Sequence, residues 1–247
     1  MNQDLQLAKQ TAKQAGQLLL EIQQSTLQVL SEKGRDIKLQ ADQDAETLIL
    51  NALKESQYDA LAEESGEHGL LDGDAPYWVI DPLDGTYNYS RKMPECCVSI
   101  ALCRKETPLL GVIYDFNRDE LFSGAVGEGA WLNDNPMTVS TIDDPAKAAV
   151  CTGFPAHRDY GEESLKQFLQ RAQKYKKIRM LGSAALMLAY VACGRADGYM
   201  EEDIMFWDVA AGVALVEAAG GVCKVEPSDR KKWGRKVWCA NSPEIFS

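Results

Sequence analysis

Asp81-Pro82-Leu83-Asp84-Gly85-Thr86 places two carboxylates three residues apart and follows them with a Gly-Thr pair. The preceding Trp78-Val79-Ile80 is apolar and partly β-branched, the pattern of a buried strand. Pro82 has no N–H for a ladder and Gly85 frees the backbone, so both acids are expected at a turn beyond the strand end. Such a turn can offer oxygens to a hard cation while the Gly85 and Thr86 N–H groups face an anion. Carboxylates, a divalent metal and phosphate together point to phosphate-ester chemistry.

Two further acidic positions stand beside turns or helix starts. Glu63 lies in Ala62-Glu63-Glu64-Ser65, and Asp208 in Phe206-Trp207-Asp208-Val209-Ala210-Ala211-Gly212. Read alone, each has an ordinary structural explanation. Glu63, Glu64 and Glu67 can form a solvated acidic loop, Asp208 can serve a helix dipole, and Asp42 can cap a helix. The Asp81 and Asp84 pair is the hardest to explain by folding alone, and the D-x-D-x-D-G spacing of a calcium loop is absent.

The elements expected to carry these residues follow from apolar spacing. Leu5, Ala8, Ala12, Ala15, Leu19 and Ile22 mark one face of an N-terminal helix. A second helix opens near Asp42 as N-cap, with Ala45, Leu48, Ile49, Ala52 and Leu53 on its buried face. Trp78–Asp81, Cys97–Leu102, Leu110–Tyr114 and Glu120–Ala125 read as strands of an antiparallel run. Around Ser140–Ala146 the chain turns polar and Asp144-Pro145 breaks it, which divides a first lobe, 1–140, from a second, 141–247. Beyond lie a strand at Ala149–Thr152, a helix at Glu163–Tyr175, and a helix capped by Ser183 that runs to Cys193. A strand at Ala196–Met200, a helix from Asp208 to Ala219 stopped by Gly220-Gly221, and a strand at Val237–Ala240 complete the set. The expected class is α/β, with an α+β first lobe and an α/β second lobe.

The chain of 247 residues is 45% hydrophobic and 26% charged, with 26 basic and 37 acidic residues and a net charge of −11. That balance argues against a nucleic-acid polymer or an anionic membrane as the main partner. Seven scattered cysteines without a C-x-x-C pair read as reduced, buried thiols rather than a disulfide framework. No apolar run approaches membrane-spanning length and no leader is visible, so a cytoplasmic location is expected. With only His68 and His157 present, a histidine triad or a histidine-rich metal site is a poor reading.

D-P-L-D-G-T, together with W-D-V-A-A-G followed by E-A-A-G-G, resembles the inositol monophosphatase family of metal-dependent, lithium-sensitive phosphatases. The likeness covers nearly the whole chain, from Asp36 through Gly221 at least. It implies a layered α-β-α-β-α sandwich. It implies that Glu63, Asp81, Asp84 and the Leu83 carbonyl hold Mg²⁺, two or three ions in all, with Asp208 closing the second site and Glu63 also steadying a third ion. Gly85 and Thr86 would grip phosphate, and Thr86 paired with Asp42 (in Gln40-Ala41-Asp42-Gln43) would orient and deprotonate a metal-bound water for in-line attack. Ser183, in Gly182-Ser183-Ala184-Ala185, and Glu201, seven residues before Asp208, match substrate-side positions. A small phosphorylated substrate and a homodimer are further implications.

Asn88 and Tyr89 are similar to the inositol branch, G-T-x-N-F, rather than to the bisphosphate-nucleotidase branch. Tyr87 stands where threonine is usual, and Met205 where some members carry histidine. The alcohol half of the ester is therefore open. Inositol monophosphate is preferred, with fructose 1,6-bisphosphate, histidinol phosphate and 3′-phosphoadenosine 5′-phosphate as alternatives. A regulatory metal-binding protein that keeps the fold is the non-enzyme alternative.

Overall fold

The computed structural model describes residues 2–33, 36–71, 73–154 and 159–246; His157 lies outside them. Helices α1 (Asn2–Gln23) and α2 (Gln40–Leu53) flank a hairpin of β1 (Val29–Lys33) and β2 (Asp36–Leu39). Strands β3 (Asp59–Ala62), β4 (Gly66–His68) and β5 (Tyr77–Asp84) lead into the short helix α3 (Thr86–Ser90). Strands β6 (Cys97–Arg104), β7 (Thr107–Asp115), β8 (Glu120–Ala125), β9 (Gly129–Leu132) and β10 (Asn135–Met137) follow. Among the described residues β3 to β10 form one eight-stranded sheet, ordered β10-β9-β8-β7-β6-β5-β3-β4. It is antiparallel except where β3 runs alongside β5.

The rest of the chain gives β11 (Ala149–Thr152), α4 (Glu162–Ala172), β12 (Lys177–Arg179), α5 (Ala184–Ala192), β13 (Gly198–Met205), α6 (Phe206–Ala218), β14 (Val222–Pro227) and β15 (Gly234–Ala240). The five strands order as β12-β11-β13-β15-β14, parallel around β11 and antiparallel from β13 onward.

Apolar faces dictate the stacking. The α1 stripe of Leu5, Ala8, Ala12, Ala15 and Leu19 is buried with Trp78, Ile80, Ile100 and Val112 on one face of the large sheet. The opposite face, with Val79, Ala101, Ile113 and Phe122, shares a core with α5 and α6. Both helices are apolar almost all round, as helices sandwiched between two sheets must be. Gly111 lets α6 reach β7, since a Cβ there would overlap the Ala211 carbonyl. On the far side of the small sheet, α4 buries Phe168 and links Arg171 to Glu202 of β13. The order is thus helix, sheet, helix, sheet, helix, as expected.

Three local expectations change. The strand ending at Asp81 continues to Asp84, buried throughout. Its register against β6 slips between Asp81 and Asp84, which pair with Ser99 and Cys97. Pro82 is accommodated because a bulge needs no ladder donor there, so the acids sit in a bulge, not in a turn beyond the strand. Helix α2 starts at Gln40, and Asp42 occupies its third position. Asp42 Oδ2 accepts the Leu39 N–H at 2.9 Å, so Asp42 supplies the returning half of a cap and is not the cap itself. Cys223 and Cys239 face each other across β14 and β15, with Cα atoms 4.1 Å apart, and are joined as a disulfide. The reduced-thiol reading therefore fails for this pair. The other five cysteines are free, four of them buried.

Candidate active site

The end of β5 is where the large sheet meets the middle helices. Asp81 Oδ1 accepts the Leu83 N–H at 3.0 Å, folding the bulge back on itself. Gly85 then takes a φ of +91°, and a Cβ there would come within 2.7 Å of the Glu95 carbonyl oxygen. Only glycine makes this turn without strain. It delivers Thr86 to α2, where Thr86 Oγ1 stands 2.9 Å from Asp42 Oδ1 and 3.0 Å from the Leu83 carbonyl. One hydroxyl proton serves two acceptors.

Asp84 points the other way. Its Oδ2 accepts from Ser183 Oγ and from the Ala185 N–H, both at 2.6 Å, while Cys97 Sγ lies 4.0 Å away. Ser183 is the N-cap of α5, as the sequence suggested, and also accepts the Leu186 N–H at 3.3 Å. Its buried hydroxyl is committed to positioning Asp84.

Glu63 follows β3, anchored by its N–H on the Ile80 carbonyl at 3.1 Å. Asp208 holds the third position of α6, and its Oδ2 accepts the Met205 N–H at 3.3 Å. Glu201 is buried on β13 and accepts the Tyr199 hydroxyl at 2.8 Å. Tyr87 is exposed, whereas Asn88 is buried and ties the Glu95 and Leu181 carbonyls together.

These carboxyls feel one another. Burial pushes Asp81 well above the usual aspartate range, and the charges of Glu63, Asp84 and Asp208 add to the rise. Burial lifts Asp208 likewise, with Glu63, Asp84 and Glu201 contributing. Glu63 is pushed up to about 8, first by burial and then by Asp42 and Glu64, against a lowering hydrogen bond with Asp81. Asp84 rises to about 6 through burial, held down by Ser183 and the start of α5. Burial raises Asp42 to about 6, against the Leu39 and Thr86 hydrogen bonds.

Among the described residues no group of three or more His, Cys, Asp or Glu side chains is already arranged as a finished metal centre. The donor set nevertheless fits a hard divalent cation. Every donor is an oxygen, the acids come from the β3–β5 region of the large sheet and from α6, and burial disfavours the ionised form of each, a cost that bound positive charge removes.

Sequence reasoning missed three neighbours. Glu46 is buried on α2 and accepts the Glu64 N–H at 2.8 Å. Its spacing of four from Asp42, on the same helix face, was a signal that could have found it. Lys38 Nζ pairs with Glu64 at 2.8 Å, a cation beside the acids. Cys97 lies beside Asp84 and carried no local signal.

Comparison with known proteins agrees with the geometry. The profile described as the inositol monophosphatase family matches residues 1–243. An inositol-1-monophosphatase of Synechocystis is 43% identical over 202 residues, 79% of this chain and 70% of that protein. A protein named Nus factor SuhB, from Xylella fastidiosa, is 42% identical over 231 residues, 91% of this chain and 83% of that protein. The solved inositol monophosphatase of Anabaena superposes with a TM-score of 0.85 at 38% identity, covering 99% of this chain and 93% of its own. The match in fold, in motif and over nearly the full length has one meaning: this chain belongs to the inositol monophosphatase family.

Proposed function

We propose that the protein hydrolyses a small-molecule phosphate monoester, with inositol monophosphate as the preferred substrate, and that it needs Mg²⁺ to do so. The observation that carries this reading is the Thr86–Asp42 hydrogen bond standing beside four acids contributed by the large sheet and by α6. Glu63, Asp81, Asp84, the Leu83 carbonyl and Asp208 would hold two or three ions. When bound, the metal would offset the carboxylate charge, polarise the phosphoryl group and lower the pKa of the attacking water.

The chain's own residues do the rest. Thr86 Oγ1 can accept a proton from water while passing its own to Asp42 Oδ1, which stands 2.9 Å away. The rise of Asp42 to about 6 suits it to accept that proton near neutral pH. Gly85 and Thr86 offer backbone N–H groups to phosphate oxygens. Ser183 fixes Asp84, and Tyr199 donates to Glu201, which would face the alcohol portion of the ester. Residues 1–140 would then supply the metal and phosphate machinery, and 141–247 Asp208 and substrate selection. A homodimer belongs to the same proposal and rests on the family likeness; a cytoplasmic setting belongs to it too and rests on the sequence composition.

Phosphate release from inositol, sugar and nucleotide phosphates, with Mg²⁺ and with chelator, tests the reading. Preference for 3′-phosphoadenosine 5′-phosphate or fructose 1,6-bisphosphate would move the substrate. No release from any ester would favour the second reading, a regulatory metal-binding protein on the same fold, to which the name Nus factor borne by a 42% identical relative lends support.

A further inference from the structure

The loop from β14 to β15 reaches back to the large sheet. Lys232 Nζ and Trp233 Nε1 both donate to Glu67 Oε1, at 2.5 and 3.1 Å. Glu67 belongs to β4, whose Gly66 pairs with Ala62, the residue before Glu63. On its other side Trp233 stacks on Phe206, with ring centroids 6.3 Å apart and planes at 17°, and its carbonyl accepts the Phe206 N–H at 2.8 Å. Phe206 opens α6, two residues before Asp208. Arg235 braces the stack with its guanidinium 4.8 Å from the Phe206 ring, and pairs at 2.9 Å with Glu106 in the turn between β6 and β7. A chain of direct contacts therefore runs from the Glu63 turn to the Asp208 end of α6.

The hydrogen bonds to Glu67 lie outside the core, against which Trp233 itself packs partly buried. Glu67 and Lys232 are exposed at the surface, and α6 is already secured by its apolar faces. What the contact spans is the gap between β4, whose Gly66 pairs with the residue before Glu63, and the start of α6, which carries Asp208.

We infer that Glu67, Lys232 and Trp233 form a positioning clasp that holds the Glu63 turn against the Asp208 end of α6 and so sets how readily the site takes up a divalent cation. This rests on the proposed metal-binding reading of those acids. The clasp keeps the metal-free protein in the gathered arrangement. When it is broken, only a fraction of molecules is gathered, and the apparent affinity falls by that fraction. The three residues touch neither substrate nor metal in this scheme; they act through Glu63 and Asp208.

The test is Mn²⁺ binding to the full chain, without substrate, followed by the electron paramagnetic resonance signal of free Mn²⁺. Glu67→Ala should weaken binding about three- to tenfold, the order expected when two partly exposed hydrogen bonds are lost. Trp233→Phe keeps the ring stack but loses one donor, and should weaken it about two- to threefold. Glu67→Gln keeps the acceptor oxygen and should regain most of the affinity. In turnover, the half-saturating Mg²⁺ of Glu67→Ala should rise in the same ratio while kcat at saturating Mg²⁺ holds. A merely structural role would lower Tm without moving the Mn²⁺ midpoint. If the wild type binds Mn²⁺ and both Glu67→Ala and Trp233→Phe superimpose on it, the clasp is refuted and the metal site stands. If the wild type binds no Mn²⁺, the metal-site reading and the clasp fall together.

Discussion

Thr86 Oγ1 lies 2.9 Å from Asp42 Oδ1, so the first residue of α3 meets the first turn of α2 across 44 residues of chain. Two features bring them together. The left-handed turn at Gly85 aims Thr86 at α2, and the Leu39 N–H fixes the Asp42 carboxyl by its other oxygen. Each carboxyl oxygen therefore has a distinct partner, which leaves Oδ1 for the threonine.

That division of labour predicts the behaviour of Thr86→Ala. It should bind divalent cations normally and lose roughly 10²-fold or more in kcat, the range of a lost proton relay. Asp42→Asn should fall by a similar factor, and the double variant little further, because the pair acts as a unit. Single-turnover phosphate release checks all three. An unchanged rate in Thr86→Ala removes it from the mechanism.

Asp84→Asn should abolish turnover and weaken metal uptake, since a neutral amide replaces a buried anionic oxygen pair. Ser183→Ala should be milder. It deletes both the α5 cap and one donor to Asp84, a cost of about 1–2 kcal/mol, seen as a Tm lowered by a few degrees. Thermal unfolding in chelator and metal titration separate these two consequences.

The acidity of Asp42 makes a pH prediction for the metal-free protein. Burial raises it from 3.8 to about 6 on folding, so the folded chain holds this proton more tightly than the unfolded chain. The resulting stabilisation is complete below pH 3.8 and is lost as pH rises through about 6. With chelator present, Asp42→Asn should lose less stability than the wild type across that interval. Parallel Tm-against-pH curves for the two would contradict the assignment.

Lithium in the submillimolar to millimolar range should inhibit phosphate release, because a weak monovalent ion can compete in an oxygen-lined cation site. Inhibition is measured as a dose curve at fixed Mg²⁺. Complete insensitivity would separate this chain from the lithium-sensitive behaviour its motifs imply.

Much of the site was legible because its parts are local. Asp81, Asp84, Gly85 and Thr86 fall within six residues, and Trp207-Asp208 lies in the first turn of a helix whose small, apolar residues mark a buried element. The amphipathic α1 and the α/β character of the second lobe were legible from apolar spacing and strand–helix alternation, whereas the five-layer order came only from the family resemblance. What escaped depends on register or on distant neighbours. Asp81 and Asp84 sit in a bulge because β5 slips against β6, and no single strand reveals its partner's register. Cys223 meets Cys239 for the same reason. Ser183 reaches Asp84 from 99 residues away, and Trp233 reaches Glu67 from 166, contacts that exist only once both sheets are stacked.

The central claim is that acids from the large sheet and from α6 hold divalent cations at one place. A crystal grown with Mn²⁺ and measured at a wavelength where manganese scatters anomalously tests it most directly. The account predicts strong anomalous peaks bounded by Glu63, Asp81, Asp84 and Asp208, lost in Asp84→Asn. Well-ordered side chains at those positions with no peak among them, in crystals whose protein still releases phosphate, would contradict it.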